Sequence, residues 1–312
     1  MSDVRCRIFD LCLSVPFPVS KEFRAPTGTP VDVYVKFGEV PRKLSNTVRQ
    51  FSSEDVGIKM EVNDRNDILM HTATARYLVK DGCTVLITAD SDSKAAMVRY
   101  TVLNYCLPAL INQRGVDMAL HGNAISTPRG GIVLAGVSGS GKSSLHAALL
   151  KRGMAMLSDD IAVLRSNAYS YDILPGIRRY RMTVEAWEQL RPPTERVVPL
   201  GGERNKVALW APVNLMHDQP APLMAIYILE PYDGIEILIE KLQGVAAFRL
   251  LQTQAYLPLG SMVLFKDMYS FSKLVDSVSI YQVRRPANRW TVDELASLVL
   301  EVDPLSCLPT YG

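Results

Sequence analysis

Over the first 90 residues apolar and polar positions tend to alternate, the pattern of half-buried strands. The alternation is clean in Val31-Asp32-Val33-Tyr34-Val35-Lys36-Phe37 and partial in Arg5-Cys6-Arg7-Ile8-Phe9-Asp10-Leu11-Cys12-Leu13. Further strands are predicted over Gly57-Ile58-Lys59-Met60-Glu61-Val62 and over the runs 75–79 and 84–87, which Lys80-Asp81-Gly82 joins as a hairpin. The expectation is a small antiparallel sheet. From Asp92-Ser93, read as an N-cap, the spacing becomes helical. Met97, Val98, Val102, Tyr105, Cys106, Ala109 and Leu110 fall on one face to about Gln113, Pro108 is expected to kink or end the helix early, and Gly115 closes the segment.

From Asp117 the pattern changes again. Two apolar strands flank Thr127-Pro128-Arg129-Gly130, followed by a Gly-rich loop, a helix and more strands. The runs 223–229 and 235–239, on either side of Pro231-Tyr232-Asp233-Gly234, read as a hairpin, and helices are expected at about 243–254 and 292–302. The organisation that follows is a small β-rich N-terminal domain over 1–90, a linking helix over 91–116, and an α/β (α+β mixed) nucleotide-binding domain over 117–312.

Composition narrows the function classes. With 34 basic and 32 acidic residues the net charge is +2, so no global basic field points to nucleic acid or to an anionic membrane. No run of about 20 apolar residues predicts a spanning helix, and the N-terminus lacks a signal-peptide pattern. Five scattered cysteines without a CxxC spacing suggest a reduced, cytoplasmic protein. The four histidines form no HxxxH pair, which argues against zinc.

The chemistry concentrates at Gly136-Val137-Ser138-Gly139-Ser140-Gly141-Lys142-Ser143. This run fits the G-x4-G-K-[S/T] pattern, with a strong strand (131–135) before it and a helix (144–152) after it, stopped by Gly153. Glycines let backbone N–H groups converge on phosphate oxygens, and the helix N-terminus adds partial positive charge. Gly136, Ser138, Gly139, Ser140, Gly141, Lys142, Ser143 and Ser144 are therefore candidate nucleotide-binding residues. Lys142 is placed to reach the β- and γ-phosphates and the Ser143 hydroxyl to ligate Mg²⁺.

Asp159 and Asp160 follow only 17 and 18 residues after Lys142, behind the short strand Met154-Ala155-Met156-Leu157. Alone, an Asp-Asp pair is usually a solvated turn. Beside such a loop, adjacent carboxylates repel and invite a cation, one holding the metal and the other accepting the proton of an attacking hydroxyl. His121 is placed by register. If the turn is centred between Pro128 and Arg129, cross-strand partners sum to about 257, which sets His121 opposite Gly136. It would there touch phosphate, tune a carboxylate, or serve only the hairpin.

The run His121-Gly122, the loop 136–143, Lys151-Arg152-Gly153 and Ser158-Asp159-Asp160 together resemble the catalytic domain of bacterial HPr kinase/phosphorylase, a family related in loop and fold to ATP-dependent phosphoenolpyruvate carboxykinase. The resemblance is specific over about 40 residues, weaker over 117–300, and absent before residue 90. It implies an ATP- and Mg²⁺-dependent kinase acting on a serine hydroxyl. One aspartate is then the general base, with Asp159 the choice, and Asp160 joins Ser143 on the metal while His121 assists near the phosphates. A homo-oligomer is a further expectation of the same kind. Gly201-Gly202-Glu203-Arg204-Asn205-Lys206-Val207 stands where the family carries a later signature motif but differs from it in detail, so phosphorylase activity and HPr as substrate do not carry over.

The segment from Asp172 to Trp187, with Arg178-Arg179-Tyr180-Arg181, looks like a divergent HPr-kinase-like subgroup found in peptide-tailoring pathways. Members in lasso-peptide biosynthesis phosphorylate the C-terminal serine of the precursor, so a peptide or protein substrate is the expected partner. Arg178, Arg179, Arg181, Arg204 and Lys206 are candidate contacts to phosphate or to a peptide carboxylate. Arg284, Arg285 and Arg289 read as surface charge, and Trp187, Trp210 and Trp290 as packing residues. Two other functions compete: a nucleotide-dependent switch without phosphotransfer, and a small-molecule hydroxyl kinase.

Overall fold

A computed structural model describes residues 4–18, 24–53, 57–91, 93–114, 118–200, 205–256 and 264–302. Contacts divide these into two compact units, one up to Arg114 and one from Met118 onward.

The first unit is one eight-stranded sheet. Its strands are β1 (Val4–Ile8), β2 (Leu11–Val15), β3 (Val33–Phe37), β4 (Thr47–Ser53), β5 (Ile58–Asn63), β6 (Ile68–His71), β7 (Ala75–Lys80) and β8 (Thr84–Ala89), in the order β1-β2-β3-β8-β7-β6-β5-β4. It is neither small nor wholly antiparallel, because β3 pairs in parallel with both β2 and β8. The Asp81-Gly82 hairpin forms as read, with positive φ at both residues (58° and 63°). The following helix does not end at Pro108. It runs as α1 (Ala95–Thr101), a π-helical turn (Val102–Cys106) and α2 (Leu107–Gln113). The widened turn precedes the proline ring, which would otherwise press on the carbonyl one turn back. Ser93 does not cap α1; its Oγ donates to Thr74 O at 2.5 Å, and Asp92 and Gly115 lie outside the described residues.

The second unit opens with β9 (Met118–Thr127) and β10 (Gly130–Gly136), an antiparallel hairpin whose partners run from Thr127↔Gly130 to Gly122↔Ala135. Every one of those pairs sums to 257, the register read from the turn. After α3 (Lys142–Lys151), the chain turns at Gly153 into β11 (Ala155–Ser158) and β12 (Ile161–Ser166), both antiparallel to β9 on its other edge. β10 and β11 therefore run the same way with β9 between them, and α3 is the crossover. This places the end of β10 and the end of β11 at one edge of the sheet.

Next come β13 (Tyr171–Leu174), β14 (Arg179–Thr183), α4 (Val184–Leu190), β15 (Arg196–Pro199), β16 (Lys206–Trp210) and β17 (Ala221–Tyr232). The unit ends with β18 (Leu238–Leu242), α5 (Gly244–Gln252), α6 (Leu264–Ser277), β19 (Ser279–Pro286) and α7 (Val292–Glu301). β14, β16 and β15 form a separate three-stranded sheet. The hairpin expected over 223–239 does not form. β17 lies in parallel beside β10 and β19, and β19 stands between β17 and β18. β17 is apolar along most of its length, as suits a strand covered on both faces and paired on both edges, whereas β18 is largely exposed. Helices were expected where α5 and α7 lie; α6 was not foreseen.

β10 shows why this sheet is a central layer. Ile132 and Leu134 join one buried cluster with Leu145, Leu149, Leu190 and Leu295, while Val133 and Ala135 join another with Leu251, Phe271 and Leu274. Helices thus cover both faces, giving a mixed α/β architecture. Among the described residues no helix is long and apolar enough to cross a membrane.

Candidate functional site

The loop between β10 and α3 is shaped by its glycines. Gly136 takes φ 135°, and a Cβ there would stand 2.4 Å from Leu229 O and 2.7 Å from Ser140 Oγ, so no side chain fits. Gly139 and Gly141 also have positive φ (81° and 100°), and Gly141 precedes the first residue of α3. Lys142 folds back over the loop, its Nζ donating to Gly136 O at 2.5 Å and Val137 O at 3.0 Å. Burial lowers the Lys142 pKa, opposed by the carboxylates of Asp160 and Asp159.

Asp159 and Asp160 interrupt what is otherwise one strand line from β11 into β12. Gly122 N donates to Asp160 O at 3.1 Å, and Asp160 has φ 68°, a left-handed conformation that Asp tolerates better than most residues. Because β10 and β11 end at the same sheet edge, the pair returns to the loop after a single helix. This is the physical content of the short spacing in sequence.

His121 and Asn123, two residues apart on β9, share a face of the strand. Asn123 Nδ2 donates to Asp159 Oδ1 at 2.8 Å and to His146 Nδ1, on α3, at 2.9 Å. His146 is wholly buried, edge-on to Tyr180, and burial holds its pKa down at about 3; its Nε2 has no partner. The ring is therefore neutral and accepts through Nδ1. Arg181, on β14, completes the cluster: its backbone N donates to Asp159 Oδ2 at 3.1 Å and its Nη2 to Asp160 Oδ2 at 2.6 Å. His121 Nδ1 stands 3.7 Å from Asp160 Oδ1, and its pKa is lowered by burial, against the pull of Asp160. Burial also raises Asp159, to about 7, with Arg181 opposing and Asp160 reinforcing.

A pocket of about 560 Å³ opens over this assembly. Of the residues singled out from sequence, His121, Ser138, Gly139, Gly141, Lys142, Ser143, Ser144, Asp159, Asp160, Arg181 and Lys206 line it. Gly136 and Ser140 shape the loop from beneath and are not on the wall. Arg179 is not on the wall either. Arg178 is buried elsewhere, donating to Ala211 O at 2.5 Å and pairing with Glu195 at 3.0 Å, so its role is to hold β14 and β16 surroundings together. Arg204 lies outside the described residues.

Sequence reasoning missed Asn123 and Arg285. A lone asparagine after His-Gly carries no signal. Arg285 is not plain surface charge: from the end of β19, its Nε donates to Ser140 O at 2.7 Å and its Nη2 to Gly139 O at 3.1 Å, bracing the loop. Only the strand order reveals this. Trp290 also lines the pocket instead of packing inside.

Among the described residues no group of three or more His, Cys, Asp or Glu is arranged to hold a metal ion. The Asp160 carboxylate and the Ser143 hydroxyl, which line the same pocket, are oxygen donors of the kind Mg²⁺ takes beside phosphate and water.

No family model matches the chain, and neither does any curated protein. Among solved structures the chain is similar to the HPr(Ser) kinase/phosphatase from Coxiella burnetii, at 13% identity and a TM-score of 0.32, over 58% of this chain and 93% of that one. A likeness at that score carries no argument about chemistry, which rests on the residues themselves.

Proposed function

We propose that the protein is an ATP-dependent kinase that transfers the γ-phosphoryl group to a serine hydroxyl of a peptide or protein, with the C-terminal serine of a lasso-peptide precursor as the leading acceptor. One observation carries the reading: Asp159, a carboxylate with only 9% of its side chain exposed and its pKa raised by burial, shares a pocket with a glycine-shaped loop at a helix N-terminus. The loop N–H groups and Lys142 cradle the phosphates. Ser143 and Asp160 would hold a Mg²⁺ ion, which would supply positive charge against the phosphates.

Asp159 takes the proton of the attacking hydroxyl as the new O–P bond forms and the bond to the bridging oxygen of ADP breaks. Its raised pKa, set by burial, suits a general base near neutral pH. Asn123 fixes the orientation of the carboxyl group, and His121 sits beside the metal-binding carboxylate. Lys206, on the pocket wall, is the candidate partner for an acceptor's carboxylate.

Incubation with γ-labelled ATP, Mg²⁺ and precursor peptides ending in serine tests this. The expected result is label on serine, reduced at least 100-fold in Asp159→Asn while ATP still binds. ATP hydrolysis without a labelled acceptor, unchanged in Asp159→Ala, would overturn the kinase reading.

A further inference from the structure

We infer that Trp290 is the platform on which the base of the bound nucleotide stacks; the inference rests on the triphosphate reading of the loop. Around β10 the sheet runs β11/β12, β9, β10, β17, β19. The acidic pair leaves the line β11/β12, two strands to one side of β10. Arg285 and Trp290 follow from β19, two strands to the other side, with β10, β17 and β19 all parallel. Neighbouring strands lie about 4.8 Å apart, so the strand lines β11/β12 and β19 each lie roughly 10 Å to one side of β10, and from β19 the Arg285 side chain reaches back to the loop carbonyls of Ser140 and Gly139. Ligands of open α/β sheets bind at the edge where parallel strands end. The loop, Arg285 and Trp290 all lie at that edge.

The γ-phosphate must face the acceptor, and therefore Asp159. The α-phosphate, ribose and base would then leave the loop on the flank away from Asp159, the side of β19. Trp290, which follows β19 in the chain, lines the same pocket and is 41% exposed. The other two tryptophans are engaged differently: Arg191 lies over the Trp187 ring and Arg196 over the Trp210 ring. The connection carrying Trp290 is held at both ends. Ala287 N donates to Tyr232 O at 2.9 Å, Arg289 pairs with Glu294 at 3.0 Å, and Leu295 N donates to Thr291 O at 2.9 Å. A large aromatic ring, open to a pocket and carried on a connection tied down at both ends, is a ready stacking surface.

The test compares Mg·ATP with inorganic tripolyphosphate, which has the phosphates and no base, by calorimetry and tryptophan fluorescence on the full chain. ATP is expected to quench the emission component that Trp290→Phe removes, and tripolyphosphate is expected to bind without quenching it. Trp290→Ala should weaken ATP about tenfold, the scale of one base–aromatic stack. It should leave tripolyphosphate affinity unchanged, and Trp290→Phe should keep most of the ATP affinity. Tripolyphosphate binding together with ATP affinity insensitive to Trp290→Ala overturns this inference alone. Equal weakening of both ligands in Trp290→Ala also overturns it, by showing that Trp290 supports the loop. Failure of the unaltered protein to bind either ligand overturns the triphosphate reading, and this one with it.

Discussion

Asp159 illustrates a residue kept where the fold would prefer another. Its folded pKa, about 7, lies above the ordinary carboxyl value of about 3.9, so the stability it contributes is fully present below about pH 4 and is lost as pH rises through about 7. Asp159→Asn should therefore raise the melting temperature at pH 8 in metal-free buffer and change it little at pH 4, while abolishing transfer. Thermal scans at the two pH values check this; an equal shift at both would refute the burial account. Asp160 requires a different substitution. With φ 68°, its backbone suits Asn or Gly far better than Ala, so Asp160→Asn removes the charge cleanly, whereas Asp160→Ala adds roughly 1 kcal/mol or more of strain to the lost charge. At this scale the hairpin register from Thr127↔Gly130 to Gly122↔Ala135 was legible, because one turn fixes it. Asn123 was not: its role exists only once β11 has been laid beside β9.

Among the elements, the strand–loop–helix unit of β10 and α3 was readable because local signals agreed: an apolar run, the glycine spacing, and Gly153 at the helix end. Gly136→Ala should destabilise the protein by roughly 1–3 kcal/mol and remove nucleotide binding, since the methyl group would meet Leu229 O in a conformation that only glycine adopts easily. Chemical denaturation and ligand titration check the two effects. Arg285→Ala should loosen the loop and weaken ATP and tripolyphosphate alike by several-fold, unlike Trp290→Ala; calorimetry on both ligands distinguishes them. The pairing of β17 was misread because Pro231-Tyr232-Asp233-Gly234 is a good turn signal between two short apolar runs. Turn chemistry reports that a chain reverses. It does not report whether another strand, here β19 from 50 residues further on, slips between the two arms.

For the molecule as a whole, fold class followed from strands alternating with helices in the second half, and the β-rich first half was evident from its period of two. The extent of the first sheet was not, since β4 carries few apolar residues, β6 has only 4 residues, and a parallel pairing leaves no local trace. Mg·ATP at 100 times its dissociation constant should stabilise the intact chain by about 2.7 kcal/mol. Lys142→Ala should cancel that shift in thermal unfolding without lowering the ligand-free transition by a comparable amount, because among the described residues the Lys142 hydrogen bonds go to the carbonyls of its own loop. The distribution of the site along the chain has an evolutionary consequence. On the kinase reading, the phosphate loop, His121, Asn123 and the acidic pair lie between Met118 and Asp160, Lys206 begins β16, and the loop brace Arg285 and the base platform Trp290 stand at and just after the end of β19. On that reading, mutation near the end of β19 can retune which nucleotide is used, and mutation near Lys206 which acceptor is met, without touching the segment from Met118 to Asp160. The two specificities are free to drift as separate traits.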